Sequence, residues 1–217
     1  MGPVRDGALK PARPARSASS DILGRDEARE VTNVKDALGR RLCGWRVQTV
    51  LPHVRGRLLD IGCGTNRLVR SYPGEGLGVD VFQWGDVDLV VEDTAALPLD
   101  DESFDTVAIV AALNHIPNRG EVLAEANRVL RRGGRICITM IPPTLSTVWH
   151  VLRRPWDADQ GERQMKPGEV YGLTPSEVDD LLSGAGFGAV FSKRFMLDVN
   201  RLTVAEKRSH ADLETVG

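Results

Sequence analysis

Apolar and polar positions along the 217-residue chain follow two periods in turn. Across 21–54 the positions Val34, Ala37, Leu38, Arg41, Leu42, Trp45, Val50 and Leu51 fall at three- and four-residue steps, which predicts an amphipathic helical cap ending at Pro52. Short apolar runs at 57–61, 77–81, 89–91, 104–111 and 135–141 then read as strands, separated by a helix start at 66–71 and a helical face at 120–130 stopped by Gly133-Gly134. A later helix opens on Thr174-Pro175-Ser176-Glu177, where Thr174 caps, Pro175 takes the first helical position and Glu177 closes a capping box. Two strands, at 189–196 and 201–205, finish the pattern. Strands alternating with helices predict an α/β fold: a mostly parallel sheet with helices on both faces, a three-layer sandwich. Ligands of such sheets sit beyond the carboxyl ends of the strands, where strand order reverses. Chemistry is therefore expected just after Ile61, Val79, Val91, Val110 and Ile141.

Composition narrows the function more than the fold. Lysine and arginine number 28 against 30 acidic residues, a net charge of −2. Within 1–20, Arg5, Lys10, Arg13 and Arg16 outweigh Asp6, so the positive charge sits on a Pro-, Ala- and Ser-rich stretch that predicts a disordered leader. A nucleic-acid binder places its positive charge on the folded part, so no nucleic-acid partner is expected. The sequence has no 18-residue apolar run and no apolar signal core near Met1, so neither a membrane span nor a signal peptide is expected, and a cytoplasmic location follows. Cys43, Cys63 and Cys137 are far apart and form no ligand cluster with histidine, which predicts buried thiols and no metal. The expected organisation is a leader at 1–20, the cap at 21–54, one catalytic domain at 55–207 and a tail at 208–217. An insert at 144–173, long for a connection, contains Trp149, His150, Arg153, Arg154, Trp156 and Tyr171. It reads as a lid over the substrate or as a packed subdomain helix.

The strand ends carry the chemistry. The first ends Leu58-Leu59-Asp60-Ile61-Gly62-Cys63-Gly64-Thr65-Asn66, where Gly62 and Gly64 permit a sharp turn and let a ligand reach the backbone. Asp60 would repel a pyrophosphate and welcome an ammonium or other cationic centre. Twenty residues on, Asp80 ends Gly78-Val79-Asp80 at the distance where a carboxylate accepts both hydroxyls of a ribose. Asp93, after the third strand, is placed to accept the exocyclic amine of an adenine. Taken singly, Asp80 also reads as a helix N-cap and Asp93 as a turn residue. A dehydrogenase nucleotide site is disfavoured, because Arg67 stands where that glycine motif needs a small residue.

These segments, with Asp93-Thr94-Ala95-Ala96-Leu97-Pro98-Leu99, Ser103-Phe104-Asp105-Thr106-Val107, Leu113-Asn114-His115-Ile116-Pro117 and Glu125-Ala126-Asn127-Arg128-Val129-Leu130-Arg131-Arg132-Gly133-Gly134, stand in order over about 45–207. In this the chain resembles the class I S-adenosylmethionine-dependent methyltransferases of the small-molecule, ubiquinone- and sugar-methylase-like type. The resemblance implies a Rossmann-like seven-stranded sheet whose last strand is antiparallel. It also implies S-adenosyl-L-methionine as cofactor and S-adenosyl-L-homocysteine as product. Backbone at Gly62, Cys63 and Gly64 would line the methionine end and Asp60 would orient its ammonium. Asp80 would hold the ribose, Val81 would pack on the adenine, Asp93 and Thr94 would read its edge, and Ala111 would floor the sulfonium. Asn66 departs from the third glycine common in the family, but tolerates a left-handed backbone. The segment Val110-Ala111-Ala112-Leu113 lacks the motif of base-directed relatives, which disfavours nucleic-acid amino groups as acceptors.

The expected activity is methyl transfer to a small-molecule acceptor, a saccharide or secondary metabolite being favoured by the aromatic and polar insert. A non-catalytic cofactor-binding module and a protein methyltransferase remain alternatives. His115 and His150 are the candidate general bases, His115 reading equally well as a structural histidine. Trp45 and Arg46 of the cap are expected to face the pocket.

Overall fold

The computed structural model describes residues 39, 41–143, 168–170 and 172–208. The chain divides into two compact units, 1–41 and 42–217, and almost every described residue belongs to the second. The predicted leader, the first half of the cap, most of the insert and the tail lie outside the described residues.

Helix α1 covers 41–50 and is followed by a 3-10 turn, Leu51–His53. Then come β1 (Leu58–Ile61), α2 (Arg67–Ser71), β2 (Gly76–Asp80), β3 (Leu89–Val90) and β4 (Phe104–Val110). A 3-10 turn at Leu113–His115 leads into α3 (Arg119–Val129) and β5 (Leu130–Met140). The described chain ends with α4 (Pro175–Gly184), β6 (Phe187–Phe195) and β7 (Asn200–Lys207).

The seven strands are ordered β3-β2-β1-β4-β5-β7-β6, with β7 antiparallel to both β5 and β6 and the other described pairings parallel. The chain steps outward from β1 to β3 and returns to β4 on the other side of β1, so strand order reverses at β1 and a crevice lies at the carboxyl ends of these strands. The two-residue alternation of strand side chains divides the core into two layers. Leu59, Ile61, Val107, Ile109, Ile136 and Ile138 pack with Val122, Leu123 and Ala126 of α3 and Val178 and Leu182 of α4. On the other face Leu58, Ala108, Cys137 and Val204 meet Val47 and Val50 of α1 and Leu68 of α2. Fully burying each such aliphatic side chain is worth about 1.5–3 kcal/mol. Asp60 follows Leu58 at the two-residue step, so it shares the face of α1 and α2.

The boundary between α3 and β5 differs from expectation. The helix stops at Val129, and Leu130 is already extended, fully buried and paired with Phe104. Burial of Leu130 against the first residue of β4 takes the chain out of the helix before the glycine pair, which instead lies within β5 beside a register shift. The α4 capping box is present as expected, with Thr174 and Glu177 bonding each other's backbone amides.

Glu125 ties α3 to the loop that follows β3. Its Oε1 accepts the Leu97 amide at 2.7 Å, and both of its oxygens accept hydrogen bonds from Arg128. The Arg128 bonds foremost, opposed by burial and helped by the Leu97 amide, hold this carboxyl below the usual range. A depressed native value stabilises the fold above the unfolded value, and that stability is lost as pH falls through the native one. Glu125→Ala should cost about 3 kcal/mol, since it strands a buried amide and a guanidinium. Urea titrations at neutral and acid pH check this: the gap between wild type and variant should narrow in acid.

Candidate active site

A cavity of about 200 Å³ opens at the crevice, lined by Gly62, Asp80, Val81, Phe82, Trp84, Thr94, Ala111, Ala112, His115 and Ile116. These residues come from the loops after β1, β2, β3 and β4, the ends picked out by the alternating pattern. The turn after β1 is held tightly. Gly62 and Cys63 both donate to the Val79 carbonyl, at 2.8 and 3.1 Å. Gly62 adopts φ +71°, and a Cβ there would stand 2.7 Å from the Ala112 Cβ. Only glycine lets the β1 and β4 loops approach so closely.

Asp80 braces this turn. Its Oδ2 accepts the Gly64 amide at 2.9 Å and its Oδ1 accepts the Phe82 amide at 3.1 Å. No helix begins at Asp80, so it is not an N-cap; the lone pairs left over on both oxygens are available towards the cavity. Asn66 holds the left-handed conformation at φ 56° and caps α2 from a buried position. Its Nδ2 donates to the Asp86 carbonyl and to Asp88 Oδ2, tying the loops after β1 and β2 together.

Asp60 stands two residues ahead of Gly62, which lines the cavity. It is 2% exposed, and its Oδ1 has no hydrogen-bond partner among the described residues. Burial first and the Asp80 charge second push its carboxyl up to about 8. An unpaired buried acid next to a second carboxylate is costly unless a cation is placed against the pair. Burial and the charges of Asp60, Asp80 and Asp88 also push the Cys63 thiol up to about 12, which removes it as a nucleophile.

Ala111 follows β4 at φ 53°, a left-handed conformation that costs a non-glycine residue about 1–2 kcal/mol. Its amide is anchored on Thr139, donating to the carbonyl at 3.2 Å and the hydroxyl at 3.0 Å. Such stored strain points to a placement that matters, here in the cavity lining. Asp93 lies outside the cavity lining and acts as a turn residue, its Oδ1 accepting the Ala95 amide at 2.9 Å while Asn118 bonds both oxygens at 3.2 Å. Its neighbour Thr94 is buried at the cavity.

His115 lines the cavity with its ring about half exposed. His150 lies outside the described residues. Trp45 and Arg46 do not line the cavity, against expectation: Trp45 is half exposed, and Arg46 Nε donates to Asn200 Oδ1 at 3.3 Å. Insertion of β7 between β5 and β6 brings Asn200, its first residue, to the end of the sheet where β5 finishes, a placement no local pattern announces. The sequence reading also missed Phe82 and Trp84, whose rings meet edge to face at 5.8 Å beside the cavity. Their position just after Asp80 is the signal that could have found them. Among the described residues no cluster of three or more histidine, cysteine, aspartate or glutamate side chains is placed to hold a metal. Among them, too, no helix is long and apolar enough to cross a membrane.

Residues 59–138 match the family described as methyltransferase domain. The ubiquinone/menaquinone biosynthesis C-methyltransferase UbiE of Desulfotalea psychrophila is 30% identical over 171 residues, 65% of this chain and 70% of that protein. The chain belongs to the class I S-adenosylmethionine-dependent methyltransferases. It is an enzyme of that class, and family and fold together imply use of S-adenosylmethionine. The 27-O-demethylrifamycin SV methyltransferase of Amycolatopsis mediterranei is 34% identical over 133 residues, 52% of this methyltransferase and 47% of that one, so the chain spans about half the length of that relative. Among solved structures, an S-adenosylmethionine-dependent methyltransferase from Archaeoglobus fulgidus matches with a TM-score of 0.60 and 18% identity, over 77% of this chain and 94% of that one. At that identity the match speaks to the fold.

The methyltransferase cavity fits a cofactor with a cationic amino-acid end, because the buried, unpaired oxygen of Asp60 asks for a cation. The native value of Asp60, about 8, lies above its ordinary 3.8, so folding takes up a proton between those values and stability falls as pH rises through the window. Asp60→Asn should flatten that fall in thermal melts across pH. Binding of S-adenosylhomocysteine at neutral pH should release about one proton from the wild type and none from Asp60→Asn. Calorimetry in buffers of different ionisation enthalpy counts those protons.

Proposed function

We propose that this enzyme transfers a methyl group from S-adenosylmethionine to a small-molecule acceptor, a saccharide or secondary metabolite. The observation that carries the cofactor part is the carboxylate pair at the switch point: Asp60 buried with an unpartnered oxygen, and Asp80 lining the cavity while bracing Gly64. In this reading Asp60 holds the cofactor ammonium, directly or through water, and the backbone of Gly62, Cys63 and Gly64 follows the methionine end. Asp80 accepts the ribose hydroxyls, Val81 packs on one face of the adenine, and Asp93 with the Thr94 amide reads its edge. Ala111 forms the floor below the reacting centre.

S-adenosylmethionine supplies an activated methyl group on a sulfonium. The chain's own task is to line up the acceptor with the methyl carbon and sulfur and to keep water out. Phe82 and Trp84, half exposed at the cavity, give its mouth an apolar border. His115 is the side chain at the cavity able to take a proton from the acceptor. The names of the relatives support a small acceptor, since one is a C-methyltransferase of quinone biosynthesis and the other is named for 27-O-demethylrifamycin SV.

Wild-type protein should bind S-adenosylhomocysteine and not NAD in calorimetry, and Asp80→Ala should weaken that binding at least about tenfold. NAD binding alone, or unchanged affinity in Asp80→Ala, would defeat the cofactor assignment. With methyl-tritiated cofactor and a cell extract, label should appear in the small-molecule fraction. Label in precipitated protein would point to a protein acceptor, and none in either fraction to a binding module.

A further inference from the structure

The short piece 168–170, ahead of α4, is fastened along the turn that presents His115. Arg119, at the start of α3, is the fastener. Its Nε donates to the Leu113 carbonyl at 3.1 Å, and its Nη2 donates to the carbonyls of Asn114 at 3.3 Å and Gly168 at 2.8 Å. Val170 adds a backbone bond to the Asn114 carbonyl at 3.0 Å. Gly168, at φ +92°, sits so close to Pro117 that a Cβ there would stand 2.9 Å from the proline Cβ. Between these anchors lies Glu169, with 4% of its side chain exposed and its Oε2 3.8 Å from His115 Nδ1.

On the other side of the ring, Asn114 Nδ2 is 3.1 Å from His115 Nε2. An amide nitrogen only donates, so Nε2 is the acceptor and the neutral ring carries its proton on Nδ1, facing Glu169. The 3.8 Å separation is that of an ion pair, so Glu169 acts on the ring through its charge. A carboxylate withdrawn from water at that distance favours the imidazolium. Among the described residues the other charged groups around the pair are Arg119 from α3, whose charge meets both Glu177 of α4 and Glu169, and Asp80, which lines the same cavity as His115.

We propose that Glu169 is the positioning residue of a His115–Glu169 pair that takes the proton from a hydroxyl acceptor, which makes O-methylation the activity of this site. The proposal rests on the methyl-transfer reading above. As the acceptor displaces the Asn114 amide from Nε2, its O–H bond breaks and the proton passes to that nitrogen. The oxygen electron pair forms the new bond to the methyl carbon, the carbon–sulfur bond breaks with its pair left on sulfur, and the proton later leaves the ring for solvent. Glu169 offsets the imidazolium charge while it lasts. An amine already deprotonated in water needs no such pair. An alcohol or phenol does, because at neutral pH it still holds its proton.

The test uses the full chain with labelled imidazole rings, whose four histidines are resolved by NMR and the His115 signal assigned from His115→Gln. In cofactor-free protein, Glu169→Gln should lower the His115 midpoint by about one pH unit, a tenfold loss of proton affinity, and Glu169→Asp by less. Affinity for S-adenosylhomocysteine should stay within about twofold in both variants. Incubation of a metabolite extract with methyl-13C cofactor should place the transferred carbon on oxygen, about tenfold more slowly in Glu169→Gln. Midpoints unmoved in both variants, cofactor affinity lost with the carboxylate, or no label on oxygen would overturn the proposal. Failure of the wild type to bind S-adenosylhomocysteine would instead refute the methyl-transfer reading, with the midpoints still readable.

Discussion

A buried acid with an oxygen left unpaired among the described residues is the constraint around which this site is arranged. Asp60 points to the helix face of β1 occupied by α1 and α2, one strand step beyond Leu58, and nothing among the described residues bonds its Oδ1. Asp80 adds a second negative charge close by. Two carboxylates held together out of water raise the energy of the ionised state, and a cationic ligand lowers it again. The surrounding rigidity keeps them there. Gly62 and Cys63 share the Val79 carbonyl, Asp80 takes the Gly64 and Phe82 amides, and Asn66 spans to Asp86 and Asp88. The loops cannot relax to pair Asp60 without breaking these bonds.

The sheet order turns that local tension into a site. Because β1 lies between β2 and β4, the loops after all three strands converge on one crevice, and Ala111 is pinned in a left-handed conformation by Thr139 of β5. The turn at 113–115, which brings His115 to the cavity, and the strap at 168–170 are drawn together by Arg119. The two parts are thus held by different means: hydrogen-bonded glycine turns after β1, a guanidinium clamp at the start of α3.

The backbone of the turns around the cavity was legible in the sequence, because its signals are local. Glycines directly after an apolar strand, an acid at the end of each of the first two strands, and Asn66 in place of a glycine all describe backbone conformations a few residues long. The seven strands with an antiparallel last one came from the family resemblance and are present in the fold. What escaped the sequence depends on contacts between distant segments. Arg46 turns to Asn200 because β7 is inserted between β5 and β6, β5 begins early because Leu130 finds Phe104, and Glu169 meets His115 because Arg119 anchors the strap. Asp93 has the turn role that its local sequence also allowed, its Oδ1 accepting the Ala95 amide and both oxygens accepting from Asn118.

The most direct test of this account is a crystal structure of the chain with S-adenosylhomocysteine. It predicts the ligand ammonium on Asp60 Oδ1, directly or through one water, with the ribose hydroxyls on Asp80 and the thioether sulfur above Ala111. A ligand seated elsewhere, with Asp60 Oδ1 still unpartnered beneath it, would contradict the central claim.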